Sequence, residues 1–165
     1  MPSHMRFVEE RSRISLARAQ RARFGVVQRD GFDGGCPRSI RTALIYIVDD
    51  EPDLIHLYSL FLEGTGYSVQ TFNEREEALA ILQAERRKPD LLIMDYCGHS
   101  IPFDQFMRRC IVLHPRLRVL IASGFAPKEL FFASVKPDRF LQKPFTGDEF
   151  VKEVRATLAA PVYKR

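Results

Sequence analysis

The sequence lacks the features that would place it outside the ordinary soluble globular class. Its longest unbroken apolar run, Ala43 to Val48, is six residues. A bilayer crossing needs about 18 to 20, so no membrane-spanning helix is expected. Only three cysteines occur, Cys36, Cys97 and Cys110, and none forms a C-x-x-C pair. Any disulfide scheme leaves one of the three unpaired, a pattern that favours a reducing compartment and hence a cytoplasmic location. No glycine-rich fingerprint follows the first apolar run, where Asp49-Asp50-Glu51-Pro52 stands instead. Bare phosphate at that turn would be repelled, which removes the dinucleotide-binding reading. Ser123-Gly124 lies in no G-x-S-x-G elbow, so a hydrolase triad is excluded as well.

Charge of one sign is short everywhere except in the first forty residues. Residues 1–40 hold eight arginines, no lysine and four acids, whereas the remainder carries seventeen basic and seventeen acidic side chains. The whole excess of +4 sits in that N-terminal segment, so the basic isoelectric point says nothing about a nucleic-acid surface on the folded part. Residues 1–40 contain no strand-like alternation, and only Ile14 to Phe24 has the makings of a short helix. The expectation is a basic, flexible arm over 1–40 and one domain over 41–165.

From residue 42, short apolar runs alternate with longer segments of helical period. Strands are predicted at Leu44 to Val48, Val69 to Phe72, Leu91 to Met94, Val119 to Ala122, and around Phe140 and Leu141. The first helix is predicted to start near Pro52 and to turn Leu54, Ile55, Leu57, Tyr58, Phe61 and Leu62 inward. A second spans Glu74 to Glu85, with Ala78, Leu79, Ile81 and Leu82 inward, and a third Phe103 to His114, with Phe106, Met107, Cys110 and Ile111 inward. A fourth is expected over Pro127 to Val135. The last opens on Thr146-Gly147-Asp148-Glu149, a capping box, ahead of Phe150, Val151, Val154 and Leu158.

The runs LIYIV, LLIM and VLIA are apolar throughout, the pattern of strands covered on both faces. The fold class is therefore α/β, a doubly wound five-stranded parallel sheet in the order 2-1-3-4-5 with helices on both faces. In such a sheet the ligand site lies beyond the carboxyl ends of the strands where the strand order reverses, here between the first and third. Asp49 and Asp50 follow the first strand, Asp95 the third, Ser123 the fourth and Lys143 the fifth. Three neighbouring carboxylates repel one another, and a hard divalent cation, Mg²⁺, is the natural relief. A carboxylate beside a metal, an ammonium and a hydroxyl is placed to attack a phosphoryl group and have the developing charge neutralised.

At these residues, over about 42 to 160, the sequence strongly resembles the receiver domain of two-component response regulators. IYIVDDEP resembles that family's acidic-pair motif, LLIMDY its phosphoacceptor strand, LIASGF its hydroxyl strand and FLQKPF its lysine-proline motif. The resemblance implies Asp95 as phosphoacceptor, Asp50 as a direct Mg²⁺ ligand, Asp49 as a ligand through water, and Ser123 and Lys143 as holders of phosphoryl oxygens. It further implies a metal contact from the Cys97 backbone carbonyl, a cis Lys143-Pro144 bond, and Phe140 as a switch aromatic, against the plainer reading of a strand residue.

The loop Tyr96 to Pro102 departs from the family pattern. It lacks the Met-Pro-x-Met-Asp-Gly continuation, and its proline comes seven residues after Asp95 instead of about four. Cys97 and His99 admit a redox or transition-metal reading, without the further ligands such a site needs. The sequence stops a few residues past the last helix, so output is expected through protein contacts, without direct DNA binding and without a membrane. The expected partners are a sensor histidine kinase or phosphotransfer protein and a downstream protein target, and the chain is read as a signalling module, not an enzyme. A receiver-like binding module without phosphorylation is the alternative. An aspartyl-nucleophile phosphatase is less favoured, because that chemistry wants an aspartate where Cys97 stands.

Overall fold

A strand with no polar side to present must be covered on both faces, and the three most apolar runs behave that way. In β1 (Leu44–Val48) and β3 (Leu91–Met94) every side chain is buried, and in β4 (Arg118–Ser123) all but the first. β2 (Ser68–Phe72) and β5 (Arg139–Gln142) are mostly half-covered because they lie at the two margins of the sheet. A computed structural model describes residues 41–98, 101–124 and 135–161. Its strands form one sheet in the order β2-β1-β3-β4-β5 with every neighbouring pair parallel. This is the expected doubly wound topology.

Alternate residues of β1 divide between two cores. Leu44, Tyr46 and Val48 join helices α2 (Arg75–Ala84) and α3 (Phe103–Leu113), while Ile45 and Ile47 join α1 (Pro52–Leu62) and α4 (Gly147–Ala159). Two helices thus cover each face among the described residues. The strongest amphipathic helix is α3, which buries Phe103, Phe106, Met107, Cys110 and Ile111. At the start of α4 the Thr146 side chain accepts from the Glu149 N–H, and the Glu149 carboxylate accepts from the Thr146 N–H, completing the capping box.

One inward position was misplaced. Leu57 is 40% exposed, whereas Ile55, Tyr58 and Leu62 are buried. With about 100° per residue, Leu57 stands a quarter-turn from Tyr58 at the centre of the stripe, so six apolar residues in this helix are wider than the face it buries. The arm over 1–40, residues 127–134 of the helix expected over Pro127 to Val135, and His99 lie outside the described residues. No helix among those described is long and apolar enough to cross a membrane.

Candidate functional site

The register of the sheet decides which side chains meet. Val48 pairs with Phe72 on one side and with Met94 on the other, so β1 and β3 end level and the next residue of each is an aspartate. The Asp49 N–H donates to the Phe72 carbonyl at 3.3 Å, that of Asp95 to Val48 at 3.2 Å, and that of Lys143 to Ser123 at 2.9 Å. One final ladder bond therefore fixes the backbone of each site residue just past the sheet.

Asp49 is 1% exposed. Its Oδ1 accepts from the Glu51 N–H at 3.0 Å and its Oδ2 from Lys143 Nζ at 3.2 Å. The same ammonium lies 4.0 Å from Asp95 Oδ1, a buried oxygen that has no hydrogen-bond partner. Burial pushes the Asp49 carboxyl above the usual range, and the bonds from Glu51 and Lys143 do not fully restore it. For Lys143, burial disfavours the ammonium, but the nearby charges of Asp49 and Asp95 outweigh it and hold its pKa above the ordinary lysine value. Tyr58 closes the floor: its ring lies 5.9 Å from Lys143 Nζ and stacks on Phe150 at 4.9 Å. Burial pushes its phenol up to about 12, so it stays neutral beside the ion pair.

The remaining sequence-predicted residues are less tightly gathered. Ser123 is fully buried at the end of β4, with its carbonyl engaged by Lys143. Asp50 is exposed, and its carboxylate lies against Gly98, where an added Cβ would come within 2.2 Å of Asp50 Oδ2. Gly98 also has φ +83°, so the loop needs glycine there on two counts. Cys97 is half-buried. Phe140 pairs in register with Ile121 and packs, half-buried, against the α2/α3 core. The Lys143-Pro144 bond is cis, as the resemblance implied.

Three carboxylates, one of them with a buried unpartnered oxygen, suit a hard divalent ion in kind. No three ligating side chains are gathered around one point among the described residues. The Lys143 ammonium lies 3.2 Å from Asp49 Oδ2 and 4.0 Å from Asp95 Oδ1.

Arg75 belongs to the site although its local sequence does not reveal it. It sits in Asn73-Glu74-Arg75-Glu76-Glu77, which looks like a solvated first helical turn, yet it is 2% exposed. Its guanidinium donates to the carbonyls of Ile101, Asp95 and Tyr96 at 2.8, 2.9 and 2.9 Å. Nothing local distinguishes it from Arg86 and Arg87, because its carbonyl partners lie in the connection between β3 and α3. At the opposite, amino edge of the sheet, a pocket of about 830 Å³ is lined by Arg41, Arg86, Arg87, Lys88, Arg116 and Arg118, with Asp90 as its carboxylate. A balanced total charge had concealed this clustering.

A family model described as the response regulator receiver domain matches residues 45–155. The chain belongs to this family. As a receiver domain it is 35% identical over 111 residues to the nitrogen assimilation regulatory protein NtrX of Azorhizobium caulinodans, covering 65% of this chain and 24% of that protein. It is 32% identical over 117 residues to the alkaline phosphatase synthesis transcriptional regulatory protein PhoP of Bacillus subtilis, covering 69% of this chain and 48% of that one. The chain thus spans about a quarter to a half of the length of these relatives. Among solved structures, a response regulator receiver protein from Sinorhizobium medicae matches with a TM-score of 0.64 at 26% identity, covering 74% of this chain and 98% of that one. A CheY-like receiver domain from Methanospirillum hungatei matches with a TM-score of 0.64 at 21% identity, over 72% and 94% of the two chains, and so bears on the fold alone.

Proposed function

We propose that this receiver domain accepts a phosphoryl group on Asp95 from the phosphohistidine of a sensor kinase or phosphotransfer protein, and signals through contacts with a downstream protein. The observation that carries the reading is the buried, unpartnered Asp95 Oδ1, with the Lys143 ammonium 4.0 Å away and itself anchored on Asp49. In the transfer an Asp95 oxygen attacks phosphorus, the new O–P bond forms as the N–P bond breaks, and the electron pair leaves with the imidazole nitrogen, which takes up a proton. Lys143 neutralises charge on the phosphoryl oxygens as it develops, and the Ser123 hydroxyl donates to one of them. Asp49, Asp50 and Asp95, with the Cys97 carbonyl, are the residues that would hold Mg²⁺. Such an ion supplies Lewis-acid stabilisation of the phosphoryl oxygens when bound. Once Ser123 is drawn toward the phosphoryl group, Phe140 fills the space released and alters the surface offered to the partner.

Incubation of the full chain with acetyl phosphate and Mg²⁺, read by intact mass, tests this. One adduct of ~80 Da, absent from Asp95→Asn, is the expected result. No adduct in the wild type, or one that persists in Asp95→Asn, overturns it. The departure of the 96–102 loop from the family pattern favours a second reading, a protein-binding module that has lost phosphorylation. A wild type without adduct supports that alternative.

A further inference from the structure

Arg75 brings a permanent charge into the interior directly behind the phosphoacceptor. A guanidinium has five N–H donors in a rigid plane, no acceptor, and stays protonated in proteins. Here one terminal nitrogen serves the Ile101 carbonyl and the other serves both Asp95 and Tyr96. The plane lies 5.9 Å from the ring centroids of both Phe103 and Phe106, so the cation is flanked by aromatic rings as well as carbonyls. Burial is the main influence on its pKa and lowers it, and the carboxylate acting most strongly against that trend is Asp95.

The three carbonyls lie where the chain leaves β3 and where it enters α3. The peptide flanks of Asp95 are thereby held from both sides, its N–H on Val48 and its carbonyl on Arg75. With both flanks fixed, the Cα–Cβ direction is fixed too, and the carboxylate has only its own rotamers left. A lysine at position 75 cannot fork to three carbonyls, and a neutral side chain cannot make charge-assisted bonds.

We propose that Arg75 is a positioning residue for phosphoryl transfer, its guanidinium clamping the carbonyls of Asp95, Tyr96 and Ile101 so that the Asp95 carboxylate is held in its attacking geometry. This rests on the assignment of Asp95 as phosphoacceptor. The test compares full-length wild type, Arg75→Lys, Arg75→Met and Arg75→Ala, the last with and without ethylguanidinium. Phosphorylation by acetyl phosphate is followed by intact mass across donor concentrations, and amide hydrogen exchange is read over residues 95–98. Displacement of reacting groups by about 1 Å typically costs on the order of 100-fold in rate. The maximal rate is expected to fall about 10- to 100-fold in Arg75→Lys and Arg75→Met. The donor concentration for half-maximal rate should change less than about 2-fold, because Arg75 does not touch the donor. Exchange over 95–98 should quicken, and ethylguanidinium should restore part of the rate to Arg75→Ala.

Folded variants with wild-type rates, or a loss confined to donor affinity, overturn the proposal. So does loss of folding in all three variants without recovery by ethylguanidinium, since that makes Arg75 a core residue only. If the wild type itself takes no phosphoryl group, the phosphoacceptor reading has failed, and with it the positioning role. Hydrogen exchange then still reports whether the clamp exists.

Discussion

Lys143 and Asp49 stand 94 residues apart in the chain and meet as an ammonium donating to a carboxylate oxygen at 3.2 Å. The contact ties the end of the marginal strand β5 to the end of β1, reaching past β3 and β4. A buried carboxylate that burial already disfavours is thereby kept usable as an anion.

Removing that ammonium should expose the burden on Asp49. Lys143→Met is expected to destabilise the domain by about 1 to 3 kcal/mol at neutral pH, a range tempered because the lysine side chain is 21% exposed. The sign follows from the raised Asp49 pKa: its ionised form is disfavoured by folding, so that penalty grows as pH rises from 3.8 through the folded-state value. The deficit of the variant should therefore shrink on acidification. In the wild type, the raised Lys143 pKa contributes stability that is complete below about 10.5 and lost as pH climbs through the folded-state value. Urea unfolding across pH checks both arms.

Mg²⁺ should raise the thermal unfolding temperature of the wild type. Binding to the native state alone contributes about 2.7 kcal/mol at a hundred-fold excess over Kd. Asp50→Ala should abolish most of the rise while leaving the metal-free midpoint nearly unchanged, because Asp50 is exposed. An equal response in the variant would remove Asp50 from the ligand set.

Gly98→Ala should be costly at a surface position. The residue would be forced to hold φ +83° and to place a methyl 2.2 Å from Asp50 Oδ2. A loss of about 1 to 3 kcal/mol is expected from the backbone conformation. A weakened Mg²⁺ response should accompany it, since Asp50 must move. Calorimetric melting with and without the metal separates the two effects.

Thr146→Ala should cost about 1 kcal/mol by opening the capping box of α4. Glu149 shares that box, and its hydrogen bonds from Thr146 hold its carboxyl below the usual range. Its contribution is present above pH 4.5 and fades as pH falls through the folded-state value. Glu149→Gln should still weaken the Thr146→Ala variant, because the backbone N–H of residue 146 keeps its bond to the carboxylate, and a double-mutant cycle in urea would separate the two bonds.

What the sequence disclosed, and what it hid, follows from where each residue finds its partners. β1 and β3 were legible to the residue because a strand covered on both faces is apolar from end to end. β2 and β4 extend past their apolar cores, to Ser68 and to Arg118 and Ser123, where ladder bonds and not hydrophobicity define the ends. Asp49, Asp95 and Lys143 were placed together because parallel strands deliver their carboxyl ends to one edge whatever the side chains are. Arg75 was invisible for the opposite reason. Its local sequence is that of an exposed turn, and only carbonyls 20 to 26 residues away reveal that it is interior. Leu57 shows the converse, an apolar residue on a helix whose buried face had no width left for it.

The cationic pocket and the aspartates lie at opposite ends of the same parallel strands, and at about 3.3 Å per residue the five residues of β1 put roughly 17 Å between them. Salt at 0.1 M screens charge over about 10 Å. A visiting macromolecule near one end therefore feels that end and little of the other. Although residues 41–165 carry equal numbers of acidic and basic side chains, the described residues set a basic cluster at one end of the strands and the aspartates at the other. Any orienting effect of that separation on a charged visitor would fade as ionic strength rises.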